Sequence, residues 1–219
     1  MIRSLFLVVA LSLASAESAR AQILEGPGRG GFSREPIAWT SLSIGWLGHG
    51  GLCDQETNAC WDFGSAPQWR GTLEFPVGRG ATIGAAASIA RVPLIYNGGI
   101  LGNSCSSCDA DANVAQYFGN FRIGGGSGLH QIIDVNAGVT VFSNFRSTNG
   151  TRLGGKALTD LSFLLGYGFG YSLSPRTQIM LVQDFGLVIH QRQTGNAERT
   201  AQQQATRVGI RVGLGEGRR

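Results

Sequence analysis

Four cysteines stand in two close pairs, Cys53 with Cys60 and Cys105 with Cys108. In an exported chain an even number of cysteines at such spacings reads as disulfides, and the two close pairings are favoured because each lies within one connecting segment. The other chemistry open to four thiolates is a structural zinc site. Cys105-Ser106-Ser107-Cys108 has the spacing for it, but six residues separate Cys53 from Cys60, so no metal is expected. Three histidines, His49, His130 and His190, are the candidates for acid–base work. Neither His49 nor His190 starts a His-x-Ser pair. The nearest partners for a triad, Ser143 and Asp184, fall on separate segments, so no catalytic set is assigned. Asp109-Ala110-Asp111-Ala112-Asn113 opens like a calcium loop, yet Val114 stands where glycine is needed and Asn120 where the bidentate glutamate belongs. Gly26-Pro27-Gly28-Arg29-Gly30-Gly31 fits a dinucleotide fingerprint in form only, because it follows an apolar leader and opens no helix. Asn149-Gly150-Thr151 reads as a loop turn. No cofactor is implied.

The elements that carry these residues follow from composition and period. Leu5 to Leu13 is an apolar run behind Arg3, followed by Ala14-Ser15-Ala16 and Ala19-Arg20-Ala21. This is the pattern of a secretory signal peptide over 1–21, too short to span a bilayer. Glycine accounts for 34 of 219 residues, about twice the usual ~7 %. Charged residues are 15 %, well under the ordinary ~25 %. Disorder would need more charge, collagen more than 6 prolines, and a helical membrane protein longer apolar runs. The formal charge of +4, carried almost wholly by arginine, is too small to argue for nucleic acid.

A Gly/Pro-rich lead occupies 22–36, and beyond it the chain keeps the two-residue period of β-strands. In 206–214, Val208, Ile210, Val212 and Leu214 share one face, while Arg207, Gly209, Arg211 and Gly213 share the other. In 161–173, Leu, Phe and Tyr alternate with Gly and Ser, Leu164 being the exception on the small face. Eight strands are predicted, near 37–47, 66–77, 81–96, 114–124, 129–143, 161–173, 177–190 and 206–214. Short connections at 78–80, 124–128 and 174–176 alternate with long ones at 48–65, 97–113, 144–158 and 191–204. Long and short loops therefore lie at opposite ends of the sheet.

Side-chain size decides which face is inside. Eight strands enclose a space just wide enough for side chains to fill, so the Gly, Ser, Thr and Arg face fits within and the bulky face points out. A continuous apolar belt far exceeds what water tolerates, and lipid is its natural solvent. With Trp46, Trp69, Tyr117 and Tyr171 at strand ends, this arrangement over 37–216 resembles the small eight-stranded bacterial outer-membrane barrels similar to OmpA and OmpX. The resemblance implies an all-β, antiparallel, up-and-down transmembrane barrel over 37–219, with short periplasmic turns and long extracellular loops. It further implies outer-membrane lipid and lipopolysaccharide as surroundings, the barrel-assembly machinery as partner during insertion, and a monomer. Such barrels usually end on an aromatic residue, whereas Gly215-Glu216-Gly217-Arg218-Arg219 closes this chain.

With the small face inward, the lumen collects Arg70, Arg122, Arg207 and Arg211 against Glu74, Asp134, Asp160 and Asp184. Equal counts point to an interlocked salt-bridge network, with Asp184 beside Arg207 and Arg122 beside Asp134. Such a network either fills the barrel or gates an ion path. The loops divide by charge: the first two carry Asp54, Glu56, Asp62, Asp109 and Asp111 with no basic residue, the last two Arg146, Arg152, Lys156, Arg192 and Arg199 against Glu198 alone. The basic side suits lipopolysaccharide phosphates. The function expected is a non-catalytic structural or interaction barrel. A small gated channel and a lipid A-modifying enzyme, the latter implied by barrels that resemble lipid A deacylases and palmitoyl transferases, are the alternatives. A soluble lipocalin-like binder would need the apolar face to line a cavity, against the size argument.

Overall fold

A computed structural model describes residues 36–54, 59–78, 80–97, 108–150, 152, 157–190 and 200–216. The segment 1–21 expected to be a signal peptide and all but the last residue of the Gly/Pro-rich lead lie outside them. The strands are β1 (Ala38–His49), β2 (Leu52–Asp54), β3 (Ala59–Phe63), β4 (Ser65–Gly78), β5 (Ala81–Asn97), β6 (Cys108–Ile123), β7 (Gly128–Ser147), β8 (Leu158–Ser174), β9 (Thr177–Ile189) and β10 (Thr200–Leu214). β2 prolongs β1 beyond Gly50-Gly51 and β3 runs into β4 across Gly64, so the ten strands build eight staves. Antiparallel ladders link them in order around the ring. β1 pairs with β10 from Ala38↔Leu214 to His49↔Gln203, which closes the barrel. Closure leaves the staves no free edge within the membrane zone, the condition for a sheet in lipid.

Burial follows the dyad. Along β8 the pattern alternates without a break from Leu158 to Tyr171, and along β10 from Thr200 to Leu214. Leu165, Tyr167, Phe169, Ile210 and Leu181 face outward as part of a broad exposed apolar belt, and Trp46, Trp69, Tyr117 and Tyr171 are more than half exposed. Only lipid accommodates such a surface.

The strands are longer at the loop end than the period predicts. β6 begins at Cys108 rather than near 114, β7 runs to Ser147 rather than 143, and β10 begins at Thr200 rather than 206. The expected long loop at 48–65 is for the most part a hairpin, β2 with β3. Two irregularities hide these extensions. At Asn144, with φ of 55°, the β6–β7 register slips, so that Phe142 and Phe145 both point inward. Asparagine tolerates this left-handed backbone better than most residues, and its Oδ1 accepts from Arg146 Nε at 3.0 Å. At Gly64, whose amide donates to the Pro93 carbonyl at 2.8 Å, parity shifts so that Phe63 and Ala66 are both buried.

Those extensions correct the expectation of a lumen lined only by small and charged groups. The loop-side half of the interior is an apolar core that includes Leu47, Trp61, Phe63, Leu94, Phe142 and Phe145. Bulky side chains enter the lumen elsewhere too, Phe118 and Leu164 beside Ala86 and Ile132 with Met180 and Val182, but only in the loop-side half do they join into one large core.

Candidate functional site in the barrel lumen

The interior is layered. At the turn end, Arg211 stacks over the Trp39 ring at 4.3 Å and donates to Glu74 Oε2 at 2.6 Å. Glu74 also accepts from Thr72 and Thr82, each at 2.8 Å, and pairs with Arg122 NH1 at 3.0 Å. Arg122 grips Asp134 with both arms of its fork, Nε to Oδ1 at 2.6 Å and NH2 to Oδ2 at 2.9 Å. Arg207 NH2 donates to the same Oδ2 at 2.5 Å, and its Nε donates to Asp184 Oδ2 at 2.7 Å. Arg70 NH1 lies 3.9 Å from Asp184 Oδ2, while its NH2 donates to Asn136 Oδ1 at 2.5 Å and its guanidinium sits 5.5 Å from the Phe118 ring centre. All seven ionised groups are 3 % exposed or less. In so dry a space a lone charge costs several kcal/mol, about the size of a whole domain's margin, and each of these acids is met by at least one guanidinium.

Backbone makes room for the chain. A Cβ added to Gly166 would collide with the Asp184 carboxylate and come within 3.1 Å of Asp134 Cβ. This glycine on β8 lies opposite Asp134 and Asp184 in the two flanking ladders, so its missing side chain is the volume their carboxylates use.

Above the charged layer runs a belt of neutral hydrogen bonds. Gln68 donates to Ser88 at 3.0 Å and to Gln116 at 2.8 Å, Gln116 to Thr140 at 3.2 Å, and Thr140 shares a 2.6 Å bond with Ser162. Asp160 is not part of the arginine chain. It meets His190 Nδ1 at 2.9 and 3.0 Å; His190 follows the last residue of β9 and keeps the inward parity of Asp184, but nothing along either segment pairs it with Asp160. Asp184, the acid considered for a triad, is held by Arg207 instead. His49 packs edge-on against Phe63 and Phe142, at 4.9 and 5.3 Å, and its Nδ1 donates to the Gly50 carbonyl at 2.6 Å. His130 occupies the opposite end and shares a 3.0 Å bond with the Gly128 carbonyl. Among the described residues no cluster of His, Cys, Asp and Glu could hold a metal ion.

At the loop end the charges are less segregated than their order along the chain suggests. Asp111, expected on a rim side free of cations, is bonded by Arg91 of β5 through Nε at 3.0 Å and NH2 at 2.9 Å, and stands opposite Arg146 in the β6–β7 ladder. Arg91 belongs to a strand, so a tally of loop residues omits it. The backbones of Arg146 and Arg152 pair in an isolated antiparallel β-bridge, whereas Lys156, Arg192 and Arg199 lie outside the described residues. Cys53 faces Cys60 across the β2–β3 ladder; neither Cys60 nor Cys108 is a free thiol, and Cys105 lies outside the described residues.

No protein-family model and no curated protein matches the chain. Solved structures do. Neisserial surface protein A superposes with a TM-score of 0.54 at 8 % identity, over 81 % of this chain and 97 % of that one. The outer membrane protein OprG from Pseudomonas aeruginosa gives 0.46 at 11 % identity, over 82 % and 97 %. The outer membrane protease OmpT from Escherichia coli gives 0.42 at 9 %, over 86 % and 100 %. Likeness at such identities is likeness of fold. With closure at β1–β10 and a lipid-facing belt around a polar middle, this chain has the fold of the small eight-stranded outer-membrane barrels.

Proposed function

We propose that this protein is a closed, non-catalytic barrel of the bacterial outer membrane, exported on a signal peptide over 1–21, whose outer loops contact lipopolysaccharide or an extracellular partner. One observation carries the reading: the lumen is filled in series by the arginine chain, the hydrogen-bonded belt and the apolar core. Water would have to displace Leu47, Phe142 and Val188, each essentially unexposed, to pass. Recording in planar bilayers tests this. The expected trace has no stable open level, and a steady conductance that disappears in Arg207→Ala would establish the channel instead.

The basic loop residues Arg146, Arg152, Lys156, Arg192 and Arg199 are the proposed contacts for lipopolysaccharide phosphates, since guanidinium matches phosphate geometry. Reversing these charges should weaken binding of purified lipopolysaccharide; unchanged binding and detergent sensitivity would remove them from that role. Disulfides Cys53–Cys60 and Cys105–Cys108 are proposed for the same rim, supported by the direct register of the first pair, and non-reducing peptide mapping reads the connectivity. The lipid A acyl pattern of cells with and without the protein should be identical. A difference would make it an enzyme. Insertion by the barrel-assembly machinery and a monomeric state complete the proposal.

A further inference from the structure

We propose that the lumen binds one small monovalent anion, chloride in ordinary media, at the Arg70 end of the charged chain. The ion pairs alternate in sign from Arg211 through Glu74, Arg122, Asp134, Arg207 and Asp184 to Arg70. A chain that begins and ends on a cation carries one positive charge more than it cancels. Asp160, the fourth lumenal acid, stands outside this chain, against His190.

The two ends differ. Arg211 meets Glu74 at 2.6 Å, whereas among the described residues the only ion-pair contact of Arg70 is the 3.9 Å one to Asp184, an oxygen already taken by Arg207 at 2.7 Å. The other contacts of Arg70 are neutral, the Asn136 amide oxygen and the Phe118 ring. A ring face offsets only part of a guanidinium charge. Around this same residue three buried donors lack an acceptor: Arg70 Nε, Arg207 NH1 and Asn136 Nδ2. They belong to one cluster, because Asn136 is bonded to Arg70 and Arg207 shares Asp184 Oδ2 with it. Each of the three residues is at least 98 % buried. Against them stands one unmatched acceptor, Asn120 Oδ1, whose own amide donates to Asn136 at 2.8 Å.

Surplus donors and surplus positive charge at one place have a single remedy. A water molecule would accept from some donors, but it leaves the charge uncancelled, which in a dry interior is the costlier defect. A halide-sized anion accepts from several N–H groups at once and closes the alternation. A divalent oxyanion would overshoot a surplus of one.

The full chain, purified in detergent micelles, is unfolded by heat at constant ionic strength in sodium chloride, bromide or gluconate, with gel mobility as the readout. Expected is a midpoint about 2–4 °C higher in chloride and bromide than in bulky gluconate. Arg70→Met should erase that difference and Arg91→Met, on the exposed wall, should keep it. Should Arg70→Met not fold, Asn136→Leu removes one donor and is expected to shrink the difference. Crystals grown in bromide should show an anomalous peak beside Arg70 Nε. Equal midpoints in the three salts, a halide effect that survives Arg70→Met, or density for water only would overturn the assignment.

Discussion

Replacing Asp134 by asparagine tests whether the lumenal chain holds the barrel together or merely occupies it. Asp134 stands at the centre, accepting two bonds from Arg122 and one from Arg207. Asparagine keeps the shape but supplies no charge, and it turns one oxygen into a nitrogen that faces an N–H donor. Both guanidiniums then lose a neutralising partner in a space from which water is excluded. Removing one member of a buried pair costs about 3–5 kcal/mol, and the residual contacts of Arg122 with Glu74 and of Arg207 with Asp184 place the expected loss near the lower figure. Urea titration of the refolded chain in lipid vesicles, followed by gel mobility, measures it. The double variant Asp134→Asn, Arg122→Gln should recover part of the loss, since it deletes one stranded cation together with its anion. A single-variant loss below about 1 kcal/mol, or strict additivity in the double variant, would refute the argument, because a merely space-filling polar lumen would tolerate the change.

Gly166→Ala should cost about 1–3 kcal/mol by pushing the Asp184 carboxylate off Arg207, more than the same change at solvent-exposed Gly125, which has open space around it; the same titration compares them. Phe142→Ala should remove about 3–5 kcal/mol from the loop-side core, with protease cutting at the rim as an independent reading, and an effect near zero would mean that this core is not packed as described. Arg91→Ala breaks a bonded pair with Asp111 that solvent reaches, so it should change the midpoint by no more than about 1 kcal/mol.

The membrane-spanning sheet was readable because its outward and inward faces differ in kind, which gives the dyad pattern high contrast. The lumenal charges were readable from parity for the same reason, as were pairs on adjacent strands such as Arg122 with Asp134, directly opposite in the β6–β7 ladder. Contacts that skip a stave, as Arg211 of β10 and Glu74 of β4 do across β1, were not. Arg211 and Glu74 are 137 residues apart, and nothing in either segment names the other. The apolar core escaped because contrast vanishes where both faces are greasy. Yet this carries a signal of its own: Val92-Pro93-Leu94-Ile95-Tyr96, Val141-Phe142 and Leu187-Val188-Ile189 are apolar at both parities, the mark of a strand buried on both sides, here by lipid or neighbours outside and core inside. Asn144 and Gly64 broke the count where β7 and the β3–β4 stave continue. A bulge is a one-residue change of phase, which a period-two reading takes for the end of the strand.

The placement of the arginines has a consequence for assembly. Arg207 and Arg211 both ride on β10, the last stave to be synthesised, while the carboxylates they meet sit on β4, β7 and β9. Until β10 docks between β9 and β1, the inward groups of the other staves comprise Arg70 and Arg122 against Glu74, Asp134, Asp160 and Asp184. An unfinished sheet therefore keeps an acidic, hydrated furrow that cannot dry out, and the same event that zips its seam delivers the countercharges that expel the water. Seam closure and dehydration become one step.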